Sequence, residues 1–130
     1  LPKLKAFQEY ELENVNLAAG IYTEQLKEIV KTPIVPKGYL SSWAQYTIQL
    51  KDEKERNGLQ EYLKSKGIPS MIYYPIPMHC QRAFDELKLQ ECLVTEKLCK
   101  TVLALPMHPY LNSKEQGAVI NEIQKFLKGV

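Results

Sequence analysis

Apolar side chains recur every three or four residues near the start of the chain. The residues in this stripe are Leu4, Phe7, Val15, Ala18, Tyr22, Leu26 and Ile29. Their spacing predicts one long amphipathic helix over residues 3–30. A helix of ~28 residues is ~42 Å long, which is more than a small domain can cover. We therefore expect part of the stripe to face another domain or subunit.

The pattern then changes to an alternation with a period of two. Over residues 43–50, aromatic and β-branched side chains alternate with polar ones, which predicts a half-buried strand. A second strand is predicted at residues 70–74 and a third at residues 102–105, each closed by prolines. Trp43, at the start of the first strand, is expected to be a core residue.

Further helices are predicted between and after these strands. Asp52 followed by Glu55 is a capping-box pattern, and the helix that it begins is expected to stop at Gly67. Two shorter helices are expected near residues 81–87 and 91–101. They separate the second predicted strand from the third.

The last helix is predicted to begin at Ser113, with Gln116 as its capping-box partner. Its buried stripe is expected to comprise Val119, Ile120, Ile123, Phe126 and Leu127. The order helix, strand, helix, strand, helices, strand, helix favours an α+β fold. We expect a small, mainly antiparallel sheet of about three strands, covered on one face by helices and preceded by a long N-terminal helix.

Length and composition narrow the classes of function. The 130 residues are the usual size of one domain, so residues 1–130 are predicted to be a single domain. The 17 basic and 15 acidic residues are interspersed and give a net charge of +2. A basic stripe that could bind nucleic acid is therefore missing. No apolar run approaches the ~20 residues needed to span a bilayer, so no membrane partner is expected.

The cysteines and the start of the chain suggest its cellular context. Three cysteines without a CxxC pair argue against a disulfide framework and against a structural zinc site. No signal peptide is visible, and a reducing cytoplasmic compartment is expected. The chain lacks an initiator methionine and opens directly on a helical pattern. We therefore expect it to be a fragment of a longer protein.

The densest group of candidate chemical side chains lies in residues 73–81. Two phenols end the second predicted strand, two prolines stiffen the exit, and an imidazole and an amide follow. The candidate binding residues are Tyr73, Tyr74, His79 and Gln81. Such a turn holds hydrogen-bonding groups in place at low entropic cost, as a polar ligand requires. The same composition fits a proline-rich surface turn over packed aromatic residues, and composition leaves both interpretations open.

Motifs for a complete active site are missing. The chain has no GxSxG, no glycine-rich phosphate loop and no HExxH. His79 and His108 are too few for a metal site, so His108 is expected to have a structural or capping role. No lysine lies at an apolar strand end, where desolvation would lower its pKa for Schiff-base chemistry. These residues describe a domain that completes a site.

Four motifs occur in order along almost the whole chain. They are N-x-x-A-x-x-Y-x-x-x-L from Asn16 to Leu26, S-W-A-Q-Y-T-I at residues 42–48, G-I-P-S at residues 67–70 leading into Y-Y-P-I-P-M-H-C-Q at 73–81, and L-A-L-P-M-H-P-Y-L at 103–111. Together they resemble the C-terminal part of the DegT/DnrJ/EryC1/StrS aminotransferases. That family belongs to the fold type I pyridoxal-phosphate enzymes.

The resemblance implies an activity for the intact protein. It would transfer an amino group from glutamate to a keto-sugar linked to a nucleotide, for surface polysaccharide synthesis, with pyridoxal phosphate as cofactor. The motifs look most like enzymes that make 3-amino sugars on uridine diphosphate, including 3-keto uronate substrates. The catalytic lysine and most of the cofactor site would lie in a large N-terminal domain outside these residues. The fragment alone is therefore expected to be inactive, and the parent enzyme to be a homodimer.

The resemblance also implies roles for individual residues. Tyr73, Tyr74, His79 and Gln81 correspond to the part of the family that approaches the sugar nucleotide. The family commonly has histidine where this chain has Tyr73. A phenol donates a hydrogen bond but carries no positive charge near neutral pH, so a cationic contact with a substrate is lost at that position.

Two other hypotheses compete with an enzyme fragment. The chain could be a stand-alone α+β binding or regulatory module, which predicts a closed surface with no bare helix stripe. It could also be an interaction domain for a protein partner. An interaction domain would share the exposed stripe but would have no need of the residues 73–81 turn.

Overall fold

A computed structural model describes residues 2–84, 86–87 and 90–129. The helices and strands, in chain order, are α1 (Pro2–Ala6), a π-helical turn (Phe7–Glu11), α2 (Leu12–Leu26), β1 (Tyr46–Gln49), α3 (Glu53–Ser65), α4 (Leu93–Thr101), β2 (Val102–Leu105) and α5 (Ser113–Lys128). Two short 3₁₀ turns, Met78–Cys80 and Arg82–Phe84, lie between α3 and α4. This arrangement confirms the predicted α+β fold.

Helical residues run without a gap from Pro2 to Leu26, and five of them, Phe7–Glu11, form the π-helical turn. The helix ends at Leu26, earlier than predicted, because the following residues form turns that lead to Pro33, where a helix cannot continue. The N-terminal end of the stripe is not covered, since α1 buries no residue and Leu4 is 53% exposed. In α2, by contrast, the predicted residues Val15, Ala18, Tyr22 and Leu26 are buried.

The sheet consists of β1 and β2, which pair antiparallel with Tyr46 opposite Leu105 and Gln49 opposite Val102. The predicted strand at 102–105 is confirmed, and the one at 43–50 is shorter than expected. The predicted strand at 70–74 is wrong, because only Met71 pairs with β2, in a single bridge to Ala104. Pro69, two residues before Met71, has no backbone N–H to donate, so the pairing cannot continue on that side of the bridge.

The core lies between the sheet and the helices that cover it. Its largest fully buried side chains come from α2, α3, α5 and both strands: Tyr22, Leu26, Tyr46, Ile48, Leu59, Leu63, Leu103 and Ile123. Each is expected to contribute roughly 1.5–3 kcal/mol by leaving water. The predicted α5 stripe is confirmed, with Phe126 and Leu127 partly buried at its end.

The two predicted capping boxes differ in outcome. The Asp52 carboxylate accepts from the Glu55 N–H at 2.8 Å, as predicted, but Glu55 accepts from the N–H of Lys51. The box predicted at Ser113 and Gln116 is wrong by one residue. Asn112 caps α5, with Glu115 as its partner.

Gln116 is free for another role because it does not take part in that cap. It is buried, and its Nε2 donates to the Ala18 carbonyl at 2.7 Å, which links α5 to α2. An amide that faces a neighbouring helix is unsuited to a capping box at the surface. The local pattern could not distinguish these roles.

The connection between α3 and α4 departs from prediction in its first part. The helix predicted at 81–87 is replaced by the 3₁₀ turn Arg82–Phe84, and residues 85, 88 and 89 lie outside the described residues. The helix predicted at 91–101 begins two residues later, at Leu93. Within the described ranges, no helix has the length and apolar character that a membrane span requires.

Candidate functional site

The candidate turn follows the Met71 bridge and is shaped by its prolines. Met71 and Ala104 exchange two backbone hydrogen bonds, of 3.0 and 2.9 Å. After Pro77 the chain folds into the 3₁₀ turn, where the Cys80 N–H donates to the Pro77 carbonyl at 3.0 Å. The Gln81 side chain reaches back to the Ile76 carbonyl at 3.4 Å. The turn is thus held at its start by the sheet and at its end by its own backbone.

His79 is held by a carboxylate from α4. Its Nε2 lies 3.1 Å from Oε1 of Glu96, so this nitrogen donates when Glu96 is ionised. Glu96 Oε1 also accepts from the Cys92 N–H at 3.2 Å. The bond from His79, and then that from Cys92, lower the pKa of Glu96. The imidazole therefore has a fixed orientation and an anionic neighbour.

An open cleft of about 190 Å³ lies beside the Met71 bridge. It is bounded by the start of β1, by the bridge segment and by the loop that follows β2. Its lining residues are Ala44, Gln45, Pro69, Ser70, Met71, Tyr73, Ala104, Leu105, Pro106 and Met107. Among the residues that the structure describes, the lining combines apolar side chains with an amide and two hydroxyls and contains no charged residue. Such a surface suits a neutral polar ligand group.

The four predicted binding residues do not share this cleft. Tyr73 lines it. Tyr74 is 73% exposed and is not one of the residues that line the cleft. His79 points to α4, and Gln81 folds onto its own turn. The structure therefore places Tyr73 on the cleft and the other three on the adjoining turn.

The cleft wall formed by the loop after β2 is anchored to α2. The Tyr22 hydroxyl donates to the Pro106 carbonyl at 3.0 Å, and the rings of Tyr22 and Tyr46 lie 5.0 Å apart. Burial raises the pKa of both phenols. Both are therefore neutral near pH 7, and Tyr22 remains a donor. In the same loop, His108 Nδ1 accepts from the Tyr110 N–H at 3.3 Å, as its predicted structural role requires.

Trp43 and Asn16 connect the other side of the cleft to α2. Trp43, predicted to be a core residue, is half-buried and packs against the core. Its indole Nε1 donates to Asn16 Oδ1, and its ring lies 5.4 Å from that of Tyr46. Asn16 is the first residue of the first of the four motifs, and no role was predicted for it. The sequence signal for a role of Asn16 was its polar side chain at the edge of the apolar stripe of the first helix.

Glu11 was also missed. It lies in the π-helical turn and is 2% exposed. Lys3 Nζ donates to its Oε1 at 2.6 Å, and the Tyr110 hydroxyl donates to the same oxygen. These two bonds, in that order, lower the pKa of Glu11. The signal in the sequence was its position, four residues after Phe7 and four before Val15, where the stripe requires an apolar residue.

Comparison with known proteins gives an independent view of the chain. The sequence model of the DegT/DnrJ/EryC1/StrS aminotransferase family matches residues 1–124. A UDP-N-acetyl-3-dehydro-alpha-D-glucosamine 3-aminotransferase from Acidithiobacillus ferrooxidans is 38% identical over 113 residues, covering 86% of this chain and 30% of that protein. A UDP-2-acetamido-2-deoxy-3-oxo-D-glucuronate aminotransferase from Pseudomonas aeruginosa is 36% identical over 114 residues, covering 87% of this chain and 30% of that protein.

Comparison of the fold with solved structures also matches the chain to this family. The crystal structure of a DegT DnrJ EryC1 StrS aminotransferase from Brucella abortus superposes with a TM-score of 0.90 at 40% identity. That match covers 98% of this chain and 34% of the Brucella chain. The chain thus spans about a third of the length of the relatives that it matches.

Proposed function

The chain belongs to the DegT/DnrJ/EryC1/StrS aminotransferase family, and on that premise we propose that it is the C-terminal domain of a nucleotide-sugar aminotransferase. The whole enzyme transfers an amino group from glutamate to a keto-sugar linked to a nucleotide. Its substrate is a UDP-linked 3-keto sugar or its uronate. Residues 1–130 form one domain that contributes part of the substrate site and is inactive by itself.

The names of two relatives support the choice of substrate. Both the Acidithiobacillus and the Pseudomonas proteins are named for UDP-linked amino sugars with an oxo or dehydro group at carbon 3. They differ in that the second substrate is a glucuronate, which carries a carboxylate. The uncharged cleft lining, with Tyr73 in place of a cationic side chain, favours the neutral sugar over the uronate for this chain.

One observation carries the assignment to a substrate-binding role. The cleft lies where three of the family motifs meet, at the residues just before β1, the segment that leads to Tyr73 and the loop after β2. Ser70, Gln45 and Tyr73 supply hydrogen-bonding groups to it, and Met71 and Met107 supply apolar surface. Sugars present hydroxyls around an apolar ring face, so this mixture suits them. Tyr74, His79 and Gln81, on the adjoining turn, are proposed to contact the substrate beyond the cleft.

The described residues do not form a pyridoxal phosphate site. The cofactor needs an amine to hold its aldehyde and donors or cations for its phosphate, and the cleft is lined by neither lysine nor arginine. We therefore derive no step through the cofactor from this chain. Pyridoxal phosphate is proposed for the whole enzyme, bound by the part of the protein outside these residues.

A stand-alone regulatory module is less well supported. It requires a closed surface, but the outer face of α2 and the loop that follows it expose large apolar side chains. They are Leu17, Ile21, Ile34, Val35 and Leu40. Contiguous apolar surface of this kind usually contacts another part of the protein or a partner. We propose that this surface is covered in the whole enzyme, which is a homodimer.

The three cysteines support the proposed cytoplasmic compartment. All three are in the described ranges and are free thiols, two of them exposed. Exposed free thiols persist in a reducing compartment.

The experiment is an amino-transfer assay of the whole protein with glutamate and a panel of keto-sugar nucleotides. Turnover of a UDP-linked 3-keto sugar is expected, with the neutral sugar preferred to the uronate. Tyr73→Phe is expected to raise the KM for the sugar nucleotide, and Tyr39→Phe, at an exposed phenol that does not line the cleft, is the matched control. If no keto-sugar nucleotide accepts an amino group, the proposed function is wrong.

A further inference from the structure

Two side-chain hydrogen bonds fasten the loop after β2 to the first helix. One is the bond from Tyr22 to the Pro106 carbonyl, at 3.0 Å. The other joins the Tyr110 hydroxyl to the Glu11 carboxylate, eleven residues earlier on the same helix. Met107 lies between the two attachment points, and Pro106 and Met107 form one wall of the cleft. The position of this wall is thus fixed from both ends.

Helix packing alone does not explain a buried glutamate at position 11. A charged carboxylate that is 2% exposed loses its hydration, and this cost is offset only if the charge is paired and hydrogen-bonded. An apolar side chain would fill the same stripe position without that cost. The residue also ends a π-helical turn, a feature that occurs frequently at functional sites.

The partners of Glu11 connect two parts of the molecule. Lys3, on α1, has a side chain that is 76% exposed and donates to Glu11 from the N-terminal side. Tyr110 donates from the loop after β2, and the residue as a whole is 61% exposed. The same carboxylate oxygen therefore links α1, the π-helical turn and the cleft loop.

We propose that Glu11 is a positioning residue that, through Tyr110, holds the loop of residues 106–111 in place and so sets the Pro106–Met107 wall of the cleft for the sugar nucleotide. This inference rests on the proposed function. It adds a residue that touches neither substrate nor cofactor but controls how well the substrate fits. Because α1 joins the same carboxylate, a shift of α1 is transmitted to the wall.

The test uses the whole enzyme and three variants. Tyr110→Phe removes one oxygen, and Glu11→Gln removes the charge. Glu9→Gln is the matched control in the same π-helical turn, since Glu9 is 58% exposed at its side chain and forms its ion pair, among the described residues, with Lys5. The two readouts are steady-state kinetics and amide hydrogen exchange in the 106–112 peptide. Tyr110→Phe also keeps the inference testable if Glu11→Gln does not fold.

Both Tyr110→Phe and Glu11→Gln are expected to speed exchange in the 106–112 peptide. They should raise the KM for the sugar nucleotide roughly tenfold, with a smaller effect on kcat, since the substrate binds to a less ordered wall. The control should leave both readouts unchanged.

Two results would overturn the positioning role. Unchanged exchange in both variants would mean that Glu11 does not hold the loop. Faster exchange with an unchanged KM would mean that the bond is only structural. A wild-type enzyme that aminates no sugar nucleotide would overturn the proposed function and this inference with it, whereas unchanged exchange in an active enzyme would overturn the positioning role alone.

Discussion

The indole Nε1 of Trp43 donates to the side-chain oxygen of Asn16 at 3.0 Å. The amide nitrogen of Asn16 donates to the carbonyls of Leu12 and Ser41, at 2.7 and 3.0 Å. One side chain thus connects α2, the loop before β1 and the indole. Trp43 has a φ of 47°, which is uncommon for a residue other than glycine. The surrounding contacts hold this backbone conformation in place.

Asn16→Ala should therefore destabilise the chain by about 1–3 kcal/mol, since it leaves the indole N–H and the Ser41 carbonyl without their partner. Urea unfolding measures the change. Trp43 is the only tryptophan in the chain, so its emission also reports whether the indole moves. Asn14→Ala, at an exposed position on the same helix, is the control. Equal stability of the two variants would contradict the assigned role.

Gly58 and Gly117 should respond differently to alanine. Both lie inside helices, where alanine is favoured over glycine by roughly 1 kcal/mol. A Cβ at Gly117 meets nothing within 4 Å, so Gly117→Ala should raise stability. A Cβ at Gly58 would lie 3.1 Å from Cζ of Phe126, which must shift. Thermal unfolding should show Gly58→Ala to be less stable than Gly117→Ala, and equal gains would show that Phe126 moves at no cost.

The stability contributed by Glu11 should depend on pH. The bonds from Lys3 and then Tyr110 lower its pKa below the ordinary 4.5. A group with a lowered pKa in the folded state stabilises above its unfolded pKa, and that stabilisation disappears as the pH falls through the folded pKa. The bond to Glu11 is the largest cause that raises the pKa of Tyr110, so its hydroxyl remains a donor throughout this range.

Glu11→Gln should consequently be less stable than wild type at neutral pH, and the two should converge as the pH falls through the lowered pKa of Glu11. Urea midpoints across the range provide the measurement. Glu9→Gln, at a glutamate whose side chain is 58% exposed, should show little difference at any pH. If the difference in urea midpoint between wild type and Glu11→Gln stayed constant with pH, the ionised carboxylate would not be the cause of that difference.

Arg56 should be important for the junction between α4 and β2. It is 4% exposed, and its Nη1 donates to the carbonyls of Cys99 and Val102, at 3.2 and 3.4 Å. Arg56→Met keeps the apolar volume but leaves these carbonyls unpaired, and should cost about 2–3 kcal/mol in thermal or urea unfolding. Lys54→Met, at an exposed position of the same helix, should have little effect. Similar values for both variants would refute this capping role.

Where burial follows local periodicity, the sequence was sufficient to predict structure. The β2 bounds and the buried stripe of α5 were predicted because side-chain direction repeats along each element. The strand at 70–74 failed because pairing depends on backbone donors, and Pro69 lacks the one that would extend the Met71 bridge on its side. The α5 cap was misplaced by one residue, since Asn112 and Ser113 are both good caps and only the position of Gln116 in the core decides between them.

The candidate site was predictable in part. The motif turn identified Tyr73, and the structure places it on the cleft. The partner of His79 was not predictable, because Glu96 lies on another helix and nothing in the local sequence links the two. Asn16, Glu11 and Tyr110 were missed for a similar reason. Their hydrogen bonds join residues far apart in the chain, and periodicity describes only neighbours along one element.

The pairing of Tyr46 with Leu105 also has a consequence for folding. Two strands that are adjacent in space are separated in the chain by both α3 and α4. A long loop must close before the ladder between them gains any hydrogen bond, and that closure has an entropic cost. We expect the helices to form early and the sheet late, so that refolding is slower than for a helical bundle of equal length. A protease that cut between α3 and α4 would turn this pairing into an encounter between two separate peptides.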